Sequence, residues 1–325
     1  MLLTAFFSPL TYGKRLFIID TDVGIDDVIA IMYFLKRPDI DIKAITIVNG
    51  EAHCKPAYHN VKKLLRLFNR KDLPLACGRD TPLAGNHKFP DFIRKEADTL
   101  AGAALFSLNA HQDVNKTSAV NLITATLKTS PVPIDILAIG PLTNIAEVLL
   151  RAPALKNKIR MIYIMGGAVG VKGNIIDLYK SSKNTMAEFN IYVDPKAGDI
   201  VFRSEIPITL IPLDITNQMP VTMKFYETAK QHNHNAISQF LFRLYDHNKE
   251  EIRTGIWYFW DTLAASIASD DTLADSSIKK LRVIVGKTEA GATIVDNQLG
   301  NYIRVCTKLK NKKKFEQNLL YTIRS

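Results

Sequence analysis

The stretch LFIIDTDVGIDDVIAIMYF, Leu16–Phe34, sets a short apolar run against an amphipathic one and places Asp20, Asp22, Asp26 and Asp27 between them. LFIID (16–20) is brief, apolar and rich in isoleucine, which reads as a strand buried on both faces. VIAIMYFLKR (28–37) has the spacing of a helix that buries one side. The same alternation recurs along the chain. IKAITIV (42–48), IDILAI (134–139), IRMIYIM (159–165) and IPITLIPL (206–213) read as further strands, and HNVKKLLRLF (59–68) and LTNIAEVLLRA (142–152) as helices between them. Strands alternating with helices predict an α/β fold, an open and mostly parallel sheet flanked by helices.

No repeat, low-complexity segment or flexible linker interrupts the 325 residues, so the expectation is a single domain over 1–325 with residues 1–15 as a loose arm. No apolar run approaches the ~20 residues that span a bilayer. The apolar start MLLTAFF lacks a basic leader and a small-residue cleavage site. Cys54, Cys77 and Cys306 are odd in number and widely spaced, which predicts reduced thiols and a cytoplasmic protein; the alternative is an exported one, with the apolar start a signal remnant. The net charge of +10 comes from scattered Lys and Arg and from KLKNKKK (308–314), with no aromatic residue interleaved for base stacking. Neither specific nucleic-acid binding nor a membrane partner is therefore expected.

The segments just after the strands carry a shared pattern. TDVGIDD, NGE, GPLTN, GGAVG and DITNQ come after the five runs in turn. Small, acidic and amide residues thus gather at the carboxyl ends of the strands, where open α/β sheets bind ligands. The four aspartates are the sharpest part of the pattern. Asp26 and Asp27 suit the first turn of a helix, whose N-terminus favours negative charge. Four carboxylates so close repel one another, and a divalent cation with oxygen ligands, Ca2+ or Mg2+, would resolve this. The spacing is not that of an EF-hand, because Ile31 stands where that loop needs Glu. HCKPAYH (53–59) has no downstream partner to complete a transition-metal site.

D-T-D after a buried strand also opens one class of phosphatase, but DTDVGIDD resembles the DTDPGIDD signature of the nucleoside hydrolases, which cut the N-glycosidic bond of ribonucleosides with Ca2+ at the site. The resemblance continues in order through ITIV-NGE, AIGPLTNIA (138–146), IMGGAVGVKGN (164–174), MAEFNIYVDPKAG (186–198) and FWDTLAA (259–265), with GATIVDNQLGNYIRV (291–305) as a closing hairpin. It implies a Rossmann-like core with a small C-terminal antiparallel element, and a homodimer or homotetramer. It implies that Ca2+ is held by Asp22, Asp27, the carbonyl of Thr143 and Asp261. Asp22 would also be the general base for the attacking water. Asp26, Asn174, Glu188 and Asn190 match the ribose-binding residues, with Met165 packed near the sugar.

Three departures stand out. Val23 replaces the usual Pro, which loosens the loop and removes no ligand. Glu51 stands where a small Asn is usual, so that either Asn49 takes its place or Glu51 contributes another acid. Trp260 precedes Asp261 where many members carry a catalytic His. An aromatic residue there suits stacking on the base, which predicts a preference for purine nucleosides. His87, in GNHKFPDF (85–92), lies near the place where the family has a flexible flap, and has no assigned role. Beside hydrolysis, two alternatives stand: a D-x-D phosphatase or phosphotransferase, and a ribonucleoside-binding protein with weak catalysis.

Overall fold

A computed structural model describes residues 13–100, 102, 114 and 117–324. Most of the expected N-terminal arm, residues 1–12, lies outside these; Arg15 already begins the first strand. The strands are β1 (Arg15–Thr21), β2 (Ile40–Ile47), β3 (Leu75–Cys77), β4 (Ile134–Ile139), β5 (Ile159–Met165), β6 (Ile208–Ile211), β7 (Ala274–Val283), β8 (Thr293–Val295) and β9 (Asn301–Leu309). They form one sheet in the order β3-β2-β1-β4-β5-β6-β9-β7-β8. Every pairing from β3 to β9 is parallel, and β7 runs antiparallel to both of its neighbours.

The first half of the chain supplies α1 (Ile25–Leu35), α2 (Cys54–Leu67), α3 (Asp91–Asp98), α4 (Ala119–Thr129) and α5 (Thr143–Arg151). Next are the short helices α6 (Ile175–Leu178), α7 (Phe189–Val193), α8 (Pro195–Phe202) and α9 (Leu213–Thr216). Then come α10 (Met223–Gln231), α11 (Ala236–His247), α12 (Lys249–Thr254), α13 (Trp260–Ser269) and α14 (Lys312–Arg324). Side chains of β1 alternate between two cores. Phe17 and Ile19 join α1, α2, α13 and α14 on one face, and Ile18 joins α4, α5 and α8 on the other. No helix among the described residues is long and apolar enough to cross a membrane.

The expected strands and helices form with ends shifted by a few residues. Two readings need correction. Residues 291–305 do not close as a hairpin on themselves: β8 and β9 both pair with β7, which lies between them. Strand β7, with Lys279, Lys280 and Arg282 on it, carries too little apolar signal to mark it as the partner. The cysteines are not all reduced thiols, because Cys54 and Cys77 form a disulfide and Cys306 alone is free and buried.

The pairing is a consequence of topology. Parallel register sets Ile47 of β2 opposite Cys77 of β3, and the chain leaving β2 enters α2 at Cys54. Two residues 23 apart in sequence then have Cα atoms 5.9 Å apart, a proximity that spacing alone does not reveal. Loop-closure entropy for a ring of this size is worth about 3 kcal/mol. Replacing both cysteines by serine is expected to lower unfolding free energy by that amount in a denaturant titration under oxidising conditions. An unchanged midpoint would show that the bond contributes nothing.

Candidate active site

Between β1 and β4 the order of the sheet reverses, and at such a switch point the carboxyl ends of the strands open a crevice. Asp22 leaves β1 into that crevice. Its Oδ2 accepts from the Glu51 amide at 2.9 Å, and its carbonyl accepts from Ala52 at 3.0 Å. Two glycines make room for it. A Cβ on Gly50 would lie 2.0 Å from Asp22 Oδ2, and one on Gly140 would lie 2.9 Å from the Asp22 nitrogen. The NGE and GPL turns are thus the walls around Asp22.

Val23 is buried at φ 61°, where a β-branched residue is strained. The turn holds because its N–H donates to Thr21 Oγ1 at 3.1 Å. Proline, fixed near −65°, cannot take this shape. The substitution therefore does not loosen the loop as expected; it goes with a tight and strained turn.

Asp26 and Asp27 occupy the first turn of α1, and Asp261 the first turn of α13, which packs along α1. One oxygen from each of Asp26, Asp27 and Asp261 lies within 4.8 Å of the others. Asp27 is fixed by hydrogen bonds from Thr21 Oγ1 and from the Gly24 N–H, the latter at 2.9 Å. Asp261 is set by the segment before it: Val221 donates to the Trp257 carbonyl at 2.9 Å and Phe259 to that of Met219 at 3.0 Å, after which α13 begins. Asp22 stands beside this trio, close enough that its charge acts on Asp261.

Burial, and then mutual repulsion, holds these acids high. Asp27 is pushed up to about 7, by burial first and then by the charge of Asp26. Asp22, Glu51 and Asp261 lie well above the ordinary carboxylate range for the same two reasons. Asp20, at the end of β1, also rises to about 7 through burial, against the hydrogen bonds it accepts from Asn144 and Thr46. Asp135, near the start of β4, is also buried, and it is paired with Arg15 (2.6 Å) and Arg160. Among the described residues no Lys or Arg forms an ion pair with Asp22, Asp26, Asp27, Glu51 or Asp261. A hard divalent cation with oxygen ligands fits that donor set.

The expected sugar-binding residues form a second cluster. Glu188 caps α7, accepting from Asn190 N (2.9 Å), Gly167 N (2.8 Å) and Ile191 N (3.2 Å). Asn190 Nδ2 donates to the Met165 carbonyl at 3.2 Å, and Asn174 Oδ1 accepts from Phe189 N at 3.0 Å. The two clusters adjoin, since the charge of Glu188 acts on Glu51. Thr143 starts α5 and donates its hydroxyl to Asp194 at 2.7 Å.

Other residues sit differently. Trp260 is half-buried at the start of α13, its ring 5.4 Å from that of Tyr258. His87 stacks on Tyr192 at 4.1 Å and hydrogen-bonds its carbonyl at 2.8 Å, with no contact to the acids. Asn49 accepts from Arg94 Nη2 at 3.0 Å. Two contributors escaped the sequence reading. Asp194 is fully buried and ties Thr143, Leu83 and Ala197 together, and the DP step in the AEFN motif was its only signal. Arg94, buried on α3, meets Asn49 only through the fold.

The chain is similar to known proteins over most of its length. The family model described as inosine-uridine preferring nucleoside hydrolase matches residues 17–317. The pyrimidine-specific ribonucleoside hydrolase RihA of Escherichia coli O127:H6 is 38% identical over 242 residues, 74% of either chain. The plant nucleoside hydrolase PpNRh1 superposes with a TM-score of 0.85 at 27% identity, over 96% of this chain and 100% of that one. The purine-preferring ribonucleoside hydrolase of Gardnerella vaginalis does so with 0.80 at 26%, over 95% and 98%. An acid-lined crevice at the switch point of such a sheet, under a sequence match that runs from β1 into the last helix, has one reading: this chain is an enzyme that belongs to the inosine-uridine preferring nucleoside hydrolase family.

Proposed function

We propose that the chain hydrolyses the N-glycosidic bond of ribonucleosides, releasing ribose and free base. The observation that carries this reading is the set of carboxylates with no ion-pair partner among the described residues, set against an amide and carboxylate cluster suited to a polyol. Asp22, Asp27 and Asp261 would hold Ca2+, with the Thr143 carbonyl as a further donor; Asp26 stands in the same tight trio as Asp27 and Asp261. A cation bound there would lower the pKa of a neighbouring water.

Asp22 acts as the general base, its Oδ2 fixed by the Glu51 amide. Asp26, Asn174, Glu188 and Asn190 bind the ribose hydroxyls. Carboxylates accept from hydroxyls, and the amides both donate and accept. With its backbone donors in place, Glu188 is preorganised and keeps acceptor capacity for substrate. Concentrated negative charge also favours the oxocarbenium-like transition state as the bond to the base breaks. Weak catalysis on a binding protein is the alternative that a turnover assay removes.

Trp260 beside Asp261 supports a preference for purines by stacking; the pyrimidine specificity in the name of the E. coli relative favours the opposite reading. A panel assayed by base release decides both points. The wild-type chain with Ca2+ is expected to turn over inosine with the higher kcat/KM. Trp260→Ala should lower that value by about 10- to 100-fold, the range for one base stacked on an aromatic ring. Comparable values for inosine and uridine would remove the purine preference. No turnover on any ribonucleoside would remove the hydrolase reading.

A further inference from the structure

The loop after β2 is stitched to the end of β1: Val48 donates to the Thr21 carbonyl at 2.9 Å, Glu51 to Asp22 Oδ2 at 2.9 Å and Ala52 to the Asp22 carbonyl at 3.0 Å. Glu51 therefore has a backbone as fixed as that of Asp22. Its carboxylate folds over Gly24. A Cβ on Gly24 would lie 2.2 Å from Glu51 Oε2 and 3.0 Å from Asp27 Oδ2, so the two acids crowd the same side of that residue.

Its partners differ from those of the other acids. Asp27 accepts from Thr21 and Gly24, and Glu188 from three backbone amides. The carboxylate of Glu51 accepts no hydrogen bond from any described residue. Arg94, buried on α3, donates to Asn49. The strongest charges that bear on Glu51 are those of Asp26, Asp27, Glu96 and Glu188, all negative. A carboxylate set beside other carboxylates, with no donor from the protein, repels them unless positive charge comes to it.

From this geometry we infer that Glu51 is an additional carboxylate ligand of the divalent cation, contacting it directly or through one water. The inference rests on the proposed cation site and goes beyond it, because the resemblance places a neutral amide at this position. An added anionic ligand raises affinity for a hard cation. Glu51 would accordingly make this site hold Ca2+ more tightly than three aspartates alone.

The test is a calorimetric titration of CaCl2 into metal-free protein, wild type against Glu51→Gln, an isosteric change that removes only the charge. Binding at least tenfold weaker in E51Q is expected, while equal affinity overturns the proposal. Equal affinity with a raised KM for inosine would assign Glu51 to a substrate hydroxyl instead. Carbodiimide labelling of the wild type, read by mass spectrometry, needs no variant and decides the matter should E51Q fail to fold. Glu51 should be modified in metal-free protein and protected by Ca2+, and equal modification in both overturns the proposal. Failure of the wild type to bind Ca2+ would instead bring down the cation reading itself, and this inference with it.

Discussion

Asp22→Ala is expected to lower kcat/KM for ribonucleoside hydrolysis by about 10^3-fold or more, the largest effect of any single change in the crevice. Loss of a positioned general base alone costs about 10^2- to 10^4-fold, and the same substitution removes a carboxylate from the cation's donor set. The scaffold should survive, because the hydrogen bond lost, from the Glu51 amide, leaves a donor at a half-buried loop. The backbone ladder from Ala52 to the Asp22 carbonyl does not depend on the side chain. The variant should therefore still bind nucleoside, read by its protection against thermal unfolding. A folded Asp22→Ala that keeps even a tenth of wild-type turnover would take the base away from Asp22.

Removing the cation is expected to abolish turnover and to invert the pH dependence of stability. Asp20 and Asp27 keep their protons to about 7 in the folded chain, whereas in the unfolded chain they release them near 4. Between about pH 4 and about pH 7 the folded, metal-free chain binds more protons than the unfolded one, so stability falls as pH rises through that window. The amplitude is on the order of several kcal/mol for two buried carboxyls with raised values. Thermal unfolding of chelator-treated protein should show Tm dropping between about pH 5 and about pH 7.5. Added Ca2+ should raise Tm more at the higher pH, where it no longer competes with protons. A metal-free Tm that climbs with pH across that range would contradict the burial of these acids.

Much of the fold was legible because period and composition report burial directly. IDILAI and IRMIYIM form strands with the bounds read from sequence, since their isoleucine-rich interiors outweigh the one charged residue in each, Asp135 and Arg160. Strand β7 was not legible, because only one of its faces is covered and its outer positions are charged. The site was legible as motifs and not as contacts. Asp26, Asp27 and Asp261 lie together, with Asp22 nearby, yet nothing local told that Asp194 would anchor Thr143. Arg94 on Asn49 and the Cys54–Cys77 bond depend on how β2, α2, β3 and α3 settle together. Val23 shows a further limit: a sequence displays a missing proline, and only the backbone displays the positive φ that proline could not have adopted.

The two strands at the ends of the sheet, β3 and β8, are three residues long each, and β3 ends at a cysteine locked to α2. A neighbouring molecule seeking to extend the sheet would find only a few backbone groups at either margin, one of them on a tethered strand that cannot peel away. Short outer strands are a recognised guard against runaway edge-to-edge association. Among the described residues the sheet of nine strands thus ends on two short strands, which disfavours growth by pairing copies edge to edge.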